Sequence, residues 1–306
     1  MTASENTTLR VAITGATGFL GAGLARHLRA VGHSIVPITR SRARTGPDAI
    51  QWDPERGELD PTALEGIDAV VHLAGENIAQ RWSDDVKREI RDSRVKSTKV
   101  IARAIAAMDR PPRVWLSGSA VGIYGDRGTE LLDESSMPGT GFLADVVQAW
   151  EGATEAVQRG DVRVVLLRSG LVLDAVGGAL PKMLPPFRLG VGGRIGSGEQ
   201  MMSWIERSDW MRAVESLLRA SLVKGPVNVV APKPISNAEF SATLGHVLGR
   251  PAAIAVPEFA IKLALGEMGE QVLLAGQRVV PTRLLGAGFT FAYGTIDAAL
   301  RAILAG

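Results

Sequence analysis

Leu9-Arg10-Val11-Ala12-Ile13-Thr14-Gly15-Ala16-Thr17-Gly18-Phe19-Leu20-Gly21 is the stretch that decides the fold. Leu9 to Thr14 is short and mostly apolar, as a buried strand should be. It runs directly into Gly15, and Phe19, Leu20, Leu24 and Leu28 then recur at helical spacing toward Gly32. The glycines are spaced G-x-x-G-x-x-G. Gly15 permits a tight turn, Gly18 lets backbone N–H groups approach a pyrophosphate, and Gly21 lets helix and strand pack closely. A helix N-terminus then favours the anion. Glycine triplets also occur in plain turns. The strand before and the helix after make this one a dinucleotide loop, with Thr17, Phe19 and Leu20 in it.

Outward from that loop the rhythm continues. Ser34–Thr39, Ile50–Trp52, Ala69–Leu73, Arg113–Ser117 and Val162–Leu167 read as strands, with Asp84–Met108 and Phe142–Gln158 as helices. The alternation predicts an α/β fold, a Rossmann-type doubly wound parallel sheet with helices on both faces. After Gly170 the pattern changes. Gly177–Gly198 holds Pro181, Pro185, Pro186 and seven glycines, with one short helix expected near Pro181–Phe187. Ser208–Ala220 reads as a helix capped by Ser208 or Asp209, and Val227–Val230 as a strand. We expect residues 1–170, with 204–230 returning to the sheet, to form the dinucleotide domain. Residues 171–203 and 231–306 then form a smaller C-terminal lobe on the substrate side.

Composition narrows the function. In 306 residues, Lys+Arg 34 against Asp+Glu 32 leaves a net charge of +2, too balanced for a nucleic-acid binder. The Arg-rich stretches 40–44 and 87–103 also lack interleaved aromatics. With no cysteine, disulfides, thiolate metal sites and a Cys nucleophile are excluded. The four histidines are scattered, so no metal site is expected, and His72, in a buried strand, reads as a satisfied core histidine. No apolar run is long enough to span a membrane, and Met1 to Arg10 has no signal core, so a cytoplasmic protein is expected.

The second strand ends Thr39-Arg40-Ser41-Arg42. An NAD site would place Asp or Glu there for the ribose 2′-hydroxyl. Arginines at 40, 42 and 44 suit a 2′-phosphate instead, so NADP is expected over NAD. The plain alternative is a solvated basic loop.

Further motifs are H-L-A-G-E-N-I at 72–78, S-G-S-A at 117–120, Y-G-D at 124–126 and W-E at 150–151. R-S-G-L-V-L at 168–173, K-M-L-P-P-F-R-L-G-V-G-G-R-I-G-S-G at 182–198 and G-Q-R-V-V-P-T-R-L at 276–284 follow. With the glycine loop, these make the chain resemble the extended short-chain dehydrogenase/reductases of the NAD-dependent epimerase/dehydratase superfamily. It is most similar to the atypical SulA-like "epimerase family proteins", which carry a short C-terminal domain of unknown function. The resemblance implies that Thr39 and Arg40 contact the adenosine ribose phosphate and that Leu73, Ala74 and Gly75 lie along the cofactor. It also implies that Glu89, Arg94 and Ser117 contact the cofactor and that Val172 lies near the nicotinamide. Leu73 and Val172 are equally readable as core residues, and Glu89 with Arg94 as a surface ion pair of little energy. A homodimer is an expectation from the fold alone.

The superfamily's chemistry uses a Ser and a Y-x-x-x-K pair, the Lys tuning a Tyr whose free pKa near 10 suits neutral pH poorly. This chain has two tyrosines. Four residues past Tyr124 stands Gly128, and four past Tyr293 stands Asp297. Leu143 and Val147 occupy the positions where the pair would fall, counting back from Glu151. The remaining catalytic candidates are Ser119, which resembles the usual catalytic Ser, and Tyr124, as a tuned acid or simply a packed aromatic. Glu76, Asn77, Lys182 and Arg188 are candidates for the substrate pocket. Arg168 reads as a brace at the sheet end. Two functions follow: an NADP(H)-dependent oxidoreductase or epimerase for a small carbonyl or hydroxyl substrate, which the superfamily resemblance extends to nucleotide-sugar-like ones, or a catalytically silent NADP(H)-binding regulator, which the same resemblance links to cell division.

Overall fold

The protein is described from a computed structural model covering residues 8–41, 46, 48–158 and 160–305. Arg42 and Arg44 lie outside the described residues. The first half runs β1 (Arg10–Thr14), α1 (Phe19–Ala30), β2 (Ser34–Thr39), β3 (Ile50–Gln51), β4 (Ala69–His72), α2 (Asp84–Ala106) and β5 (Val114–Ala120). Then come β6 (Leu131–Leu132), α3 (Phe142–Gly152), α4 (Glu155–Gln158), β7 (Arg163–Ser169), β8 (Leu171–Leu173) and α5 (Leu180–Arg188). The chain continues through β9 (Met201–Met202), β10 (Trp204–Glu206), α6 (Arg207–Arg219), β11 (Gly225–Val229), β12 (Ile235–Ser236) and α7 (Asn237–Leu248). It ends with α8 (Glu258–Leu265), β13 (Arg278–Val279), α9 (Thr282–Gly286) and α10 (Ile296–Leu304).

Seven strands form one parallel sheet in the order β11-β7-β5-β4-β1-β2-β3. Alternation along each strand feeds a layer on either face. Val11, Ile13, Val71, Leu116 and Val165 pack against Leu24 and Leu28 of α1 and Trp210 and Leu217 of α6. Ala12, Val70, Trp115 and Val164 face Val100, Ile101 and Ile105 of α2. β1 pairs with β2 on one side and β4 on the other, so the connections reverse direction there and open a crevice at their carboxyl ends. A separate core unites Leu184 and Phe187 of α5, Phe240 and Leu244 of α7, and Leu300 of α10.

Three local expectations change. The Phe142–Gln158 helix is two helices, broken after Gly152, where the Thr154 hydroxyl donates back to the Glu151 carbonyl at 2.7 Å. β5 extends to Ala120, so Ser119 lies on the strand rather than beyond it. The cap of α6 is Glu206, whose carboxylate accepts from the N–H groups of Ser208 and Asp209. Asp209 is instead buried, accepting from the N–H groups of Ala292 and Tyr293 at 3.0 and 2.8 Å. Among the described residues no helix is long and apolar enough to cross a membrane. Nor do three or more metal-ligating side chains gather among them.

Candidate functional site: a groove and a cavity

Two depressions open beside each other at the carboxyl ends of the strands. The first is a groove of about 550 Å³ lined by Gly15–Gly18, Ile38–Ser41, Trp52, Leu73–Glu76, Ser93, Lys96 and Ser97. A further hollow, lined by 61–62, 65–68 and 107–110, lies at the opposite end of the sheet, where β4 begins.

The groove is built largely from backbone. Gly15 has φ +66°, and a Cβ there would stand 3.0 Å from the Leu73 carbonyl group. A Cβ on Gly21 would stand 2.2 Å from the Gly15 oxygen, so α1 can start this close to β1 only with glycine. Gly18 caps α1 with no side-chain hydrogen bond and no acidic residue follows in the first turn. The first-turn N–H groups, beside the groove at Gly18, therefore have no carboxylate competing for them. Phe19 and Leu20 open this turn directly after Gly18, the last loop residue on the groove lining. The Phe19 ring lies under the Arg207 guanidinium, 4.5 Å from centroid to Cζ, and Leu20 packs on the core.

The groove floor is tied to the sheet by a buried polar cluster. The Thr14 hydroxyl accepts from the N–H groups of Leu73 and Ala74 at 3.0 and 3.2 Å and contacts His72 Nδ1 at 2.7 Å. His72 Nε2 reaches the Ser97 and Thr98 hydroxyls, each at 3.1 Å. Burial lowers the His72 pKa to about 3, so the ring stays neutral. At the far end, Thr39 bonds with the backbone of Ser41, and Arg40 is exposed with no carboxylate partner among the described residues. Lys96, on the same wall, contacts Glu55 and Asp92, whose hydrogen bonds raise its pKa.

The second depression is a cavity of about 410 Å³ between the sheet end and the C-terminal lobe. Its walls include Ile78 and Ile90, Leu143, Val147 and Trp150 of α3, Met183 of α5, Met201, Met202 and Leu273. Leu143 and Val147 thus stand on the wall that the superfamily's Tyr and Lys would occupy. Ser119 also lines the cavity, and its hydroxyl donates to Glu151 Oε1 at 2.6 Å. Arg168 grips the same carboxylate bidentately, Nε to Oε1 at 2.8 Å and Nη2 to Oε2 at 2.9 Å. Burial opposes the Arg168 charge, but hydrogen bonding and attraction to Glu151 outweigh it and raise its pKa.

Arg94 stands where groove and cavity meet. Its guanidinium donates to the Ile90 and Glu76 carbonyls, both at 2.9 Å, and lies over the Trp150 ring at 5.2 Å. Burial, opposed by Glu76, lowers its pKa to about 10, which leaves it charged at neutral pH.

Tyr124 is placed differently from a general acid. It is fully buried, and its hydroxyl lies 2.8 Å from Asn228 Oδ1 and 3.0 Å from the Asp133 carbonyl while accepting from Arg168 Nη1 at 3.0 Å. It is absent from the cavity wall, and burial, partly offset by Arg168, raises its pKa. Lys182 and Arg188 lie on the exposed face of α5, while Met183 faces the cavity and Leu184 and Phe187 the core. Asn77 is exposed, its side chain accepting from the Ala79 N–H at 2.9 Å in a local turn; Glu76 borders the groove. Alternation along β8 sends Val172 into the core and Leu171 to the cavity. Ser117, two residues deeper than Ser119, is wholly buried and lines neither depression. Glu89 shares a face of α2 with Ser93 and Ser97 but is exposed a turn earlier and lines neither wall. Glu151 is a site residue that was not among the expected ones. The W-E pair at 150–151 was its signal, since α3 puts Trp150 on the cavity wall and Glu151 against Ser119.

The comparisons agree with this architecture. The profile of the NAD dependent epimerase/dehydratase family matches residues 11–230, and that of a domain of unknown function, DUF1731, matches residues 256–303. An epimerase family protein of Mycobacterium bovis, Mb2239, is 44% identical over 291 residues, covering 95% of this chain and 96% of that protein. The crystal structure of the human epimerase family protein SDR39U1 with NADPH superposes with a TM-score of 0.88 at 38% identity, covering 96% of this chain and 99% of that one. A nucleoside-diphosphate sugar epimerase from Corynebacterium glutamicum gives a TM-score of 0.81 at 34% identity, covering 98% of this chain and 59% of that one. By sheet, glycine loop and sequence alike, this chain belongs to the NAD dependent epimerase/dehydratase family.

Proposed function

We propose that the protein is an NADP(H)-dependent oxidoreductase in which Ser119 and Glu151 move the proton that a Tyr–Lys pair moves elsewhere in the superfamily. The observation that carries it is the 2.6 Å hydrogen bond from a serine on the cavity wall to a carboxylate locked by Arg168. The groove fits the cofactor. The uncapped start of α1 suits the pyrophosphate, and Arg40, without a carboxylate partner among the described residues, suits a 2′-phosphate. NADPH in the human relative's crystal structure supports the same choice. The bound cofactor supplies or accepts the hydride; the chain supplies position and the proton path.

In the oxidising direction the substrate hydroxyl gives its proton to Ser119 Oγ as the Ser119 proton passes to Glu151 Oε1. Reduction runs that path backward from the protonated carboxyl. Arg168 keeps Oε1 aimed at Ser119, and Tyr124, itself bonded to Asn228, holds Arg168 in turn. Tyr124 is a positioning residue in this scheme. The second reading, a silent cofactor-binding regulator, draws on the aliphatic side chains Leu143 and Val147 at the usual acid/base positions.

NADPH fluorescence separates the two readings. Decay on adding carbonyl compounds, slowed about 100-fold or more by Ser119→Ala with NADPH affinity unchanged, is the expected result. NADPH binding with no decay across aldehydes and ketones, together with no NADPH formed from NADP+ and alcohols or nucleotide sugars, is the result that favours the regulator.

A further inference from the structure

Resting on the oxidoreductase reading, we propose that the cavity takes an apolar ketone, aldehyde or alcohol, presented by its single oxygen to Ser119, rather than a nucleoside-diphosphate sugar. The walls are mostly aliphatic, aromatic and thioether side chains. The polar residues among them are engaged elsewhere. Gln200 Nε2 donates to the Ile195 and Leu273 carbonyls at 3.1 and 3.0 Å. Gln271 accepts from the Leu143 N–H at 3.1 Å and donates to Glu267 at 2.8 Å. Ser203 donates to the Gln277 carbonyl at 2.6 Å and accepts from the Val279 N–H at 2.9 Å. Asn237 Oδ1 accepts from the Ile195 N–H at 2.7 Å. Ser169 accepts from the Trp210 indole N–H and Gln277 donates to the Gly125 carbonyl, both at 3.0 Å. Most of these bonds tie the lobe's own segments together, and Gln271 ties it to α3, whereas the Ser119 hydroxyl is the one on the wall already paired with a carboxylate.

Charge points the same way. A diphosphate carries two negative charges, and burying them without paired cations is costly. Arg94 is the one charged side chain on the described cavity wall, and its guanidinium is turned to two backbone carbonyls and the Trp150 ring. Lys182 and Arg188, the cations best placed in sequence to meet a diphosphate, face outward. Met183, Met201 and Met202 give the apolar wall side chains that adapt to varied shapes.

The test is calorimetric titration of the whole chain, saturated with NADPH, against 2-decanone, acetophenone and UDP-glucose. At least one ketone should bind about tenfold or more tighter than UDP-glucose. Met183→Glu should weaken that ketone about tenfold while leaving NADPH affinity, the control for folding, within about twofold. UDP-glucose binding tighter than both ketones, no ketone binding, or Met183→Glu leaving ketone affinity unchanged would overturn the proposal. Because the readout is binding, its failure is separable from that of the oxidoreductase reading. A ketone bound without NADPH oxidation defeats the latter alone, and UDP-glucose bound, and oxidised when NADP+ replaces NADPH, defeats the apolar assignment alone.

Discussion

The groove and the cavity share a border at Arg94 but are made differently. The groove is a backbone structure, a glycine turn, an uncapped helix start and a strand end pinned by Thr14 and His72. The cavity is a side-chain structure, drawn from α2, β5, α3, α5, β9 and the segment before β13. A backbone cradle recognises what all dinucleotides share, and it tolerates little change. A side-chain wall can be rewritten residue by residue, and here a Tyr–Lys pair gives way to Leu143 and Val147 while Ser119 meets Glu151. The lesson is that cofactor and chemistry are specified separately in this molecule, so variants should separate them too.

The largest expected effect falls on the cavity side. Glu151→Gln removes the acceptor of the Ser119 proton, and turnover of a reactive carbonyl compound should fall about 10²–10⁴-fold. NADPH affinity should stay within about twofold, as followed by fluorescence titration. A loss of NADPH binding of similar size would erase the separation.

On the groove side, acid should act through His72. Its folded pKa of about 3 lies below the ordinary 6.5, so below pH 6.5 the unfolded chain takes up a proton that the folded chain refuses. Stability is therefore intact above that pH and lost as pH falls toward 3. Urea unfolding should show a loss of about 2 kcal/mol between pH 6.5 and 5 from this group, at about 1.4 kcal/mol per unit. His72→Gln should flatten that slope; an unchanged slope would mean that His72 contributes nothing to it.

Arg40→Ala should weaken NADPH about tenfold, as a charge-assisted contact of about 1.5 kcal/mol implies, while NADH affinity stays the same. Equal losses for both cofactors would remove Arg40 from the 2′-phosphate. The smallest effect belongs to Tyr124→Phe, which strips the hydroxyl from Arg168 and Asn228. It should cost about 1–2 kcal/mol of stability in urea unfolding. Turnover should stay within about threefold, since the Glu151–Arg168 pair remains; abolished turnover would restore Tyr124 as an acid.

The sequence showed the groove readily because its signals are local. Thirteen adjacent residues, Leu9 to Gly21, carry strand, turn and helix start, and Leu73–Gly75 ends a strand of obvious apolar character. The cavity was hidden because its walls converge only in three dimensions. Gln271 and Leu273 lie more than a hundred residues beyond Leu143, whose N–H Gln271 receives. Lys182 and Arg188 were drawn toward substrate by charge. Yet Met183, Leu184 and Phe187 mark the inward face of α5, and that spacing turns both cations out. Tyr124 stood out by rarity, a property of composition, whereas its buried hydroxyl is a property of packing.

The most direct test of the account is a crystal structure of this chain with NADPH. The pyrophosphate should lie on the first-turn N–H groups of α1, the 2′-phosphate against Arg40, and the nicotinamide ring at the cavity end, beside Ser119. A nicotinamide ring held away from Ser119, or a 2′-phosphate turned from Arg40 into solvent, would contradict it.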